Sequence, residues 1–192
     1  MSTPAKVLAA GDVRRLQVRA SRGRFPLRDT VIIMLSFKAG LRACEIAGLD
    51  WTMVLAVDAR VGQSLMIGDK IAKNGRSRRV PLHAKLRSAV VQLHASVGRP
   101  RNGPVVRSQR GGHMTPRGVV NWFKAVYVDL GFEGCSSHSG RRTFITRSAR
   151  LLAKSGGSLR DIQELAGHRA LTTTERYIEG DREAQRRLVN ML

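Results

Sequence analysis

His138, Arg141, His168 and Tyr177 have between them the chemistry to cut a phosphodiester. Two imidazoles and a guanidinium can donate to phosphate oxygens, and the tyrosine hydroxyl can form a covalent intermediate. A phosphodiester resists attack because its charged oxygens repel nucleophiles and its alkoxide leaves poorly. Each fixed donor aimed at the charge growing on the non-bridging oxygens contributes a few kcal/mol, roughly a hundredfold or more in rate. A tyrosine, with an ordinary pKa of about 10, needs a cationic setting or a base before it attacks at neutral pH. The other tyrosine, Tyr127, falls inside an apolar stripe and reads as a core aromatic.

These groups need short, well-defined elements to hold them. His138 and Arg141 stand three residues apart, so a helix running through Thr143 and Phe144, capped by Ser136 or Ser137, projects both from one face near its start. Ser158 to Ala166 predicts a short helix, with capping-box spacing at Ser158 and Asp161, a stripe of Leu159, Ile162 and Leu165, and Gly167 as its stop. His168 then sits at the break. Thr172 and Glu175 repeat the spacing and predict a second short helix carrying Tyr177.

Upstream, a short helix is predicted from Leu8, then an exposed basic connection over Arg19–Arg24, then a buried helix over Leu27–Ala39, started by Pro26 and stopped by Gly40. Arg42 and Glu45 share a face of the next helix, with Ile46 and Leu49 toward the core; by spacing alone they read as a surface ion pair. Ser64–Ile67 and Arg78–Leu82 read as two antiparallel strands joined through Asn74-Gly75, a pair that tolerates the positive φ of a type I′ turn. Lys73, beside that tip, reads on its own as a solvated edge charge, and Arg76, Arg78 and Arg79 as phosphate contacts at most. An amphipathic helix follows over His83–Val97, then a Gly- and Arg-rich loop over Arg99–Met114 suited to lie along DNA backbone. Thr115 as N-cap and Pro116 at N1 start a helix with a stripe of Val119, Phe123, Val126, Tyr127 and Leu130. The tail from Arg182 to Leu192 reads as a helix whose Leu188, Val189 and Leu192 face needs a partner.

A net charge of +20 points to a polyanionic partner, because guanidinium binds phosphate oxygens in pairs and keeps its charge. Basicity alone leaves a DNA enzyme on one side and a ribosomal-type or merely soluble basic protein on the other equally open. The two cysteines, Cys44 and Cys135, give neither a disulfide framework nor zinc-site spacing, and no carboxylate cluster offers a metal site. The longest apolar run, Val31–Leu35, is far short of a membrane span, and no signal sequence opens the chain; a soluble protein of a reducing cytosol is expected. A length of 192 residues fits one domain.

The segments HSGRRTF, LAGH and TTTERY, with nine positions from His168 to Tyr177, together resemble the second half of the tyrosine recombinase (phage-integrase family) signature. Gly40, Leu41, Arg42 and Glu45 supply its first half, a Gly-Leu-Arg-x-x-Glu segment. The likeness runs from Leu8 to Tyr177. It implies a mainly α fold with a small antiparallel β-sheet (α+β), a tyrosine recombinase or type IB topoisomerase-like catalytic domain. It also implies Arg42, Lys73, His138, Arg141, His168 and Tyr177 as catalytic residues, with Glu45 supporting them. Lys73 aligns through the following Arg-Val-Pro-Leu, and an ammonium at a hairpin tip fits the role of giving the departing 5′-oxygen its proton.

By the same resemblance the product is a 3′-phosphotyrosine with a free 5′-hydroxyl, formed without metal or nucleotide cofactor. The implied partner is double-stranded DNA, bound by a homo-oligomer that extends to a tetrameric synapse through the C-terminal helix. The implied setting is cytoplasmic and nucleoid-associated. Residues 1–192 are expected to be a single catalytic domain, without the separate N-terminal core-binding domain of many family members. Arg142 stands where the family usually has His, keeping a cationic group, and Gly140 where it often has Leu, which is expected to weaken packing behind Arg141. A non-catalytic DNA-binding relative, a type IB topoisomerase and a basic RNA-binding protein remain as alternatives, which strand transfer between two defined sites separates from a recombinase.

Overall fold

Most of the fold packs around α2, Pro26–Lys38, which is buried on nearly every side because Val31 to Phe37 are all shielded from solvent. The computed structural model describes residues 5–72, 75, 77–177, 186, 189 and 190. Against α2 lie α1, Ala10–Ser21; α4, Ala84–Ser96; and α6, Ser139–Ser155. α1 is longer than its sequence suggested. Val13, Leu16 and Ala20 extend its buried stripe to the last turn, so Arg19 is helical and the connection to α2 is short.

α3, Ala43–Gly48, sends Ile46 and Leu49 into the core and packs on α5, Pro116–Asp129, whose N-cap Thr115 accepts a hydrogen bond from Gly118 N–H at 2.9 Å. β1, Ser64–Ile67, pairs antiparallel with β2, Arg78–Pro81, in a register that sets Leu65 opposite Val80 and Ile67 opposite Arg78. Gly75 has the positive φ, 63°, that the expected turn requires; Lys73, Asn74 and Arg76 lie outside the described residues. The loop after α4 does not run freely over the surface. Val105 and Val106 are buried, and Val105 N–H donates to Leu49 O at 3.0 Å, pinning the middle of the loop to the end of α3.

The last described part is α6, then α7, Leu159–Ala166, then α8, Leu171–Glu175. Asp161 accepts from Ser158 N–H at 2.7 Å, as the capping-box spacing predicts. The matching expectation at Thr172 and Glu175 is corrected: α8 begins two residues earlier, with Ala170 rather than Thr172 as N-cap, and Tyr177 lies in the turn beyond the helix. α6, α7 and Tyr177 share a small apolar cluster of their own, with Ile145, Ile162 and Ala166 buried at its centre. The predicted helix over Arg182–Leu192 falls largely outside the described residues. Among the described residues no helix is long and apolar enough to cross a membrane.

Candidate active site

The site is built on a carboxylate between two guanidiniums. Gly40, at φ 64°, turns the chain out of α2 where any Cβ would run into the Phe144 ring, and Arg42 becomes the N-cap of α3. One turn on, Glu45 Oε2 accepts from Arg42 N–H at 2.9 Å and Oε1 from Arg42 Nη1 at 3.2 Å. Arg78 grips both oxygens of the same carboxylate, Nη1 to Oε1 at 2.8 Å and Nη2 to Oε2 at 2.9 Å, and its Nε donates to Leu165 O at 3.0 Å. Burial alone would raise the Glu45 carboxyl, but the hydrogen bonds and charge of Arg78, then those of Arg42, outweigh it and hold the group below its ordinary value.

Two sequence expectations are corrected here. The Arg42–Glu45 pair is no surface pair, since the Glu45 side chain is fully buried. Nor is Arg78 a mere phosphate contact; its side chain is 8% exposed and bonded at every donor edge just described.

Arg141 ties this unit to the C-terminal elements. It is buried, with Nη1 donating to Gly40 O at 2.7 Å and Nη2 to Ala166 O at 2.6 Å, so one guanidinium joins the turn before Arg42 to the end of α7. Burial and then the charge of Arg42 push its pKa down to about 9, which leaves it cationic at neutral pH. His138 is the exposed N-cap of α6, three residues before Arg141. Neither Ser136 nor Ser137 is the N-cap: Ser136 Oγ accepts from His138 N–H at 3.3 Å and closes the turn before the helix.

Gly167, at φ 64°, ends α7, and His168 follows with its N–H on Gln163 O at 3.0 Å. His168 Nδ1 lies 2.9 Å from Thr174 Oγ1, and its ring stacks on Tyr177 with centroids 5.7 Å apart and planes 18° from parallel. The Arg142 guanidinium sits over the Tyr177 ring, 5.8 Å from its centroid. Beside His168 opens a cleft of about 460 Å³ lined by Arg78, Arg79, Arg160 and Arg169 among others.

The sequence model of the phage integrase family matches residues 6–183. The chain belongs to the phage integrase family. It is 33% identical over 186 residues to the tyrosine recombinase XerC of Methylobacterium nodulans, an alignment covering 93% of this chain and 54% of that protein. The chain spans about half the length of the curated relatives it matches. Its fold resembles the Tn1549 transposon integrase in complex with transposon right-end DNA, with a TM-score of 0.77 at 16% identity over 100% of this chain and 67% of that one. It also resembles the integrase from mycobacterium phage Brujita, with a TM-score of 0.63 at 27% identity over 93% of this chain and 54% of that one.

Within the integrase signature, the structure brings Arg42, Glu45, Arg141, His168 and Tyr177 into one connected unit, with His138 at the first turn beside Arg141. Lys73 lies outside the described residues. Gly140, one of the two departures from the family pattern, does not weaken packing: a Cβ there would overlap Ser36 Oγ and touch the Phe37 ring, so the glycine lets α6 approach α2 closely. Arg78 and Thr174 are the members that sequence reasoning missed. For Arg78 a signal existed, because alternation along β2 puts it on the same face as buried Val80, where an arginine needs a buried acid.

Proposed function

We propose that the chain is the catalytic part of a site-specific DNA recombinase of the integrase or invertase type, cutting and rejoining DNA through a 3′-phosphotyrosine. What supports this reading most is the single guanidinium of Arg141, which binds the turn before Arg42 and the end of α7 before His168, gathering phosphate donors beside Tyr177. Arg42, Arg141, His138 and His168 stabilise charge on the non-bridging oxygens. Tyr177 gives up its phenol proton to solvent and attacks phosphorus, its bond forming as the bond to the 5′-oxygen breaks, and Lys73 protonates that oxygen. Glu45 supports Arg42. The bond energy is kept in the phosphotyrosine, so a second strand's 5′-hydroxyl can reverse the step without a nucleotide. The substrate is double-stranded DNA in the cytoplasmic nucleoid, held by a homo-oligomer extending to a four-protomer synapse.

The test is to incubate the chain with DNA from its native neighbourhood, denature, and map any covalent adduct, then supply a second duplex. A 3′-phosphotyrosyl end with strand transfer between two sites is expected, in EDTA as well, since Arg42 and Arg141 supply the positive charge. Resealing of the same strand alone would instead indicate a topoisomerase. Loss of cleavage in EDTA, restored by a divalent ion, would count against the whole mechanism.

Two further outcomes are expected. DNA affinity should fall steeply with salt: if six to ten phosphates are neutralised, by roughly 10³–10⁵ between 50 and 200 mM. A flat response would sink the idea of an arginine surface tracking the backbone. Lys73→Ala should slow cleavage of ordinary DNA, by roughly 10²- to 10⁴-fold, yet cut a substrate with sulfur at the 5′-bridging position nearly as fast as wild type, because a thiolate leaves without a proton. Equal slowing on both substrates would make Lys73 a positioning contact, with the general acid elsewhere.

A further inference from the structure

Thr174 is fully buried, and among the described residues the hydrogen-bonding partner of its hydroxyl is His168 Nδ1 at 2.9 Å. That hydroxyl has one proton to donate, and a buried O–H left without an acceptor is destabilising. Were the ring proton on Nδ1, it would point at the threonine oxygen and leave the hydroxyl proton with nowhere to go. Satisfying both groups therefore makes Nδ1 the acceptor. A neutral imidazole has a single ring proton, which then sits on Nε2. The backbone that aims the ring is itself held: the Gln163 side-chain amide donates to His168 O at 3.1 Å and Arg169 O at 3.3 Å.

We propose that Thr174 is a positioning residue whose hydroxyl fixes His168 in its Nε2–H form, making His168 a hydrogen-bond donor and unable to take the proton of Tyr177. This rests on the transesterification reading above and divides the labour within it. His168 meets a phosphate oxygen as an N–H donor, and the phenol proton passes to solvent rather than to His168. The surroundings favour the one-proton ring: burial first, then the charges of Arg141, Arg42 and Arg78, push the imidazole pKa down to about 4.

Long-range proton–nitrogen correlation spectra of the chain with ¹⁵N-labelled histidine test this at pH 7, the His168 signals being those lost in His168→Gln. Wild type and Thr174→Ser should show Nε2 protonated and Nδ1 as acceptor. Thr174→Val keeps the shape without the hydroxyl; it should show a mixture of tautomers and form the DNA adduct about tenfold more slowly at unchanged DNA affinity, the equivalent of one lost hydrogen bond. A wild-type ring protonated at Nδ1 would overturn the proposal, as would a Thr174→Val ring still wholly in the Nε2–H form. If Thr174→Val does not fold, the wild-type spectrum decides alone. An Nε2–H ring in a chain that forms no adduct would overturn the reaction reading while upholding the tautomer.

Discussion

Tyr177→Phe abolishes the covalent protein–DNA adduct and leaves DNA binding within about twofold, a loss of chemistry on the order of 10⁴ or more. The magnitude follows from what phenylalanine keeps. Its ring preserves the stack on His168, the contact beneath Arg142 and the packing against Ile145, Ile162 and Ala166, so only the hydroxyl proposed above as the nucleophile is removed. Tyr127→Phe supplies the contrast. Tyr127 is 2% exposed, its hydroxyl is buried without a hydrogen-bond partner among the described residues, and burial drives its pKa far above the ordinary tyrosine value. Removing that hydroxyl should leave the adduct unchanged and stabilise the fold by about 1 kcal/mol. Gel detection of the adduct after denaturation reads both variants, and loss of the adduct in Tyr127→Phe would transfer the nucleophile's role.

Glu45→Ala produces the largest loss of stability. It leaves the guanidiniums of Arg42 and Arg78, 14% and 8% exposed, without the carboxylate they share, and breaking one side of such a buried group costs about 3–5 kcal/mol. Denaturant titration should show that loss, and cleavage should fail with it, because Arg42 loses the contact that aims it. A loss below about 1 kcal/mol would mean the group behaves like an exposed pair. The sign of the pH dependence follows from the lowered folded-state pKa. Glu45 contributes fully above its ordinary value of 4.5, and that contribution disappears as pH falls through the lower folded value. The gap between wild type and Glu45→Gln should therefore close in acid.

The features legible in the sequence were those written in local chemistry. Pro26 and Gly40 around an apolar run gave α2; Thr115 and Pro116 gave the start of α5; Ser158, Asp161 and Gly167 gave α7 and set His168 at its end. What stayed hidden depends on residues far apart in the chain. Gly140 looks like a weakness until Ser36, on another helix, occupies the space of the absent side chain. Arg78 and Glu45 are 33 positions apart, and charge at a hairpin suggests solvent or phosphate before it suggests a buried carboxylate. The Thr172–Glu175 spacing misled because the same two residue types fit inside a helix already begun at Leu171. Thr174 gave no signal at all, since its meaning comes only from the ring that returns to it.

Tyr177 packs in the small cluster centred on Ile145, Ile162 and Ala166, apart from the main core around α2 to which Leu41 and Ile46, the neighbours of Arg42 and Glu45, belong. Burial sets the free energy of subglobal opening, so amide hydrogens of α7 and α8 should exchange through openings cheaper than global unfolding, while those of α2 exchange only when the whole fold opens. Arg42 and Glu45 on one side and Tyr177 on the other thus sit in packing of unequal depth, linked by the hydrogen bonds of Arg141 and Arg78 to the end of α7. In the recombinase reading proposed above, a strand end joined to Tyr177 would ride on the shallower packing, and its swing toward a new partner would first break the bonds of Arg141 and Arg78 to Ala166 O and Leu165 O.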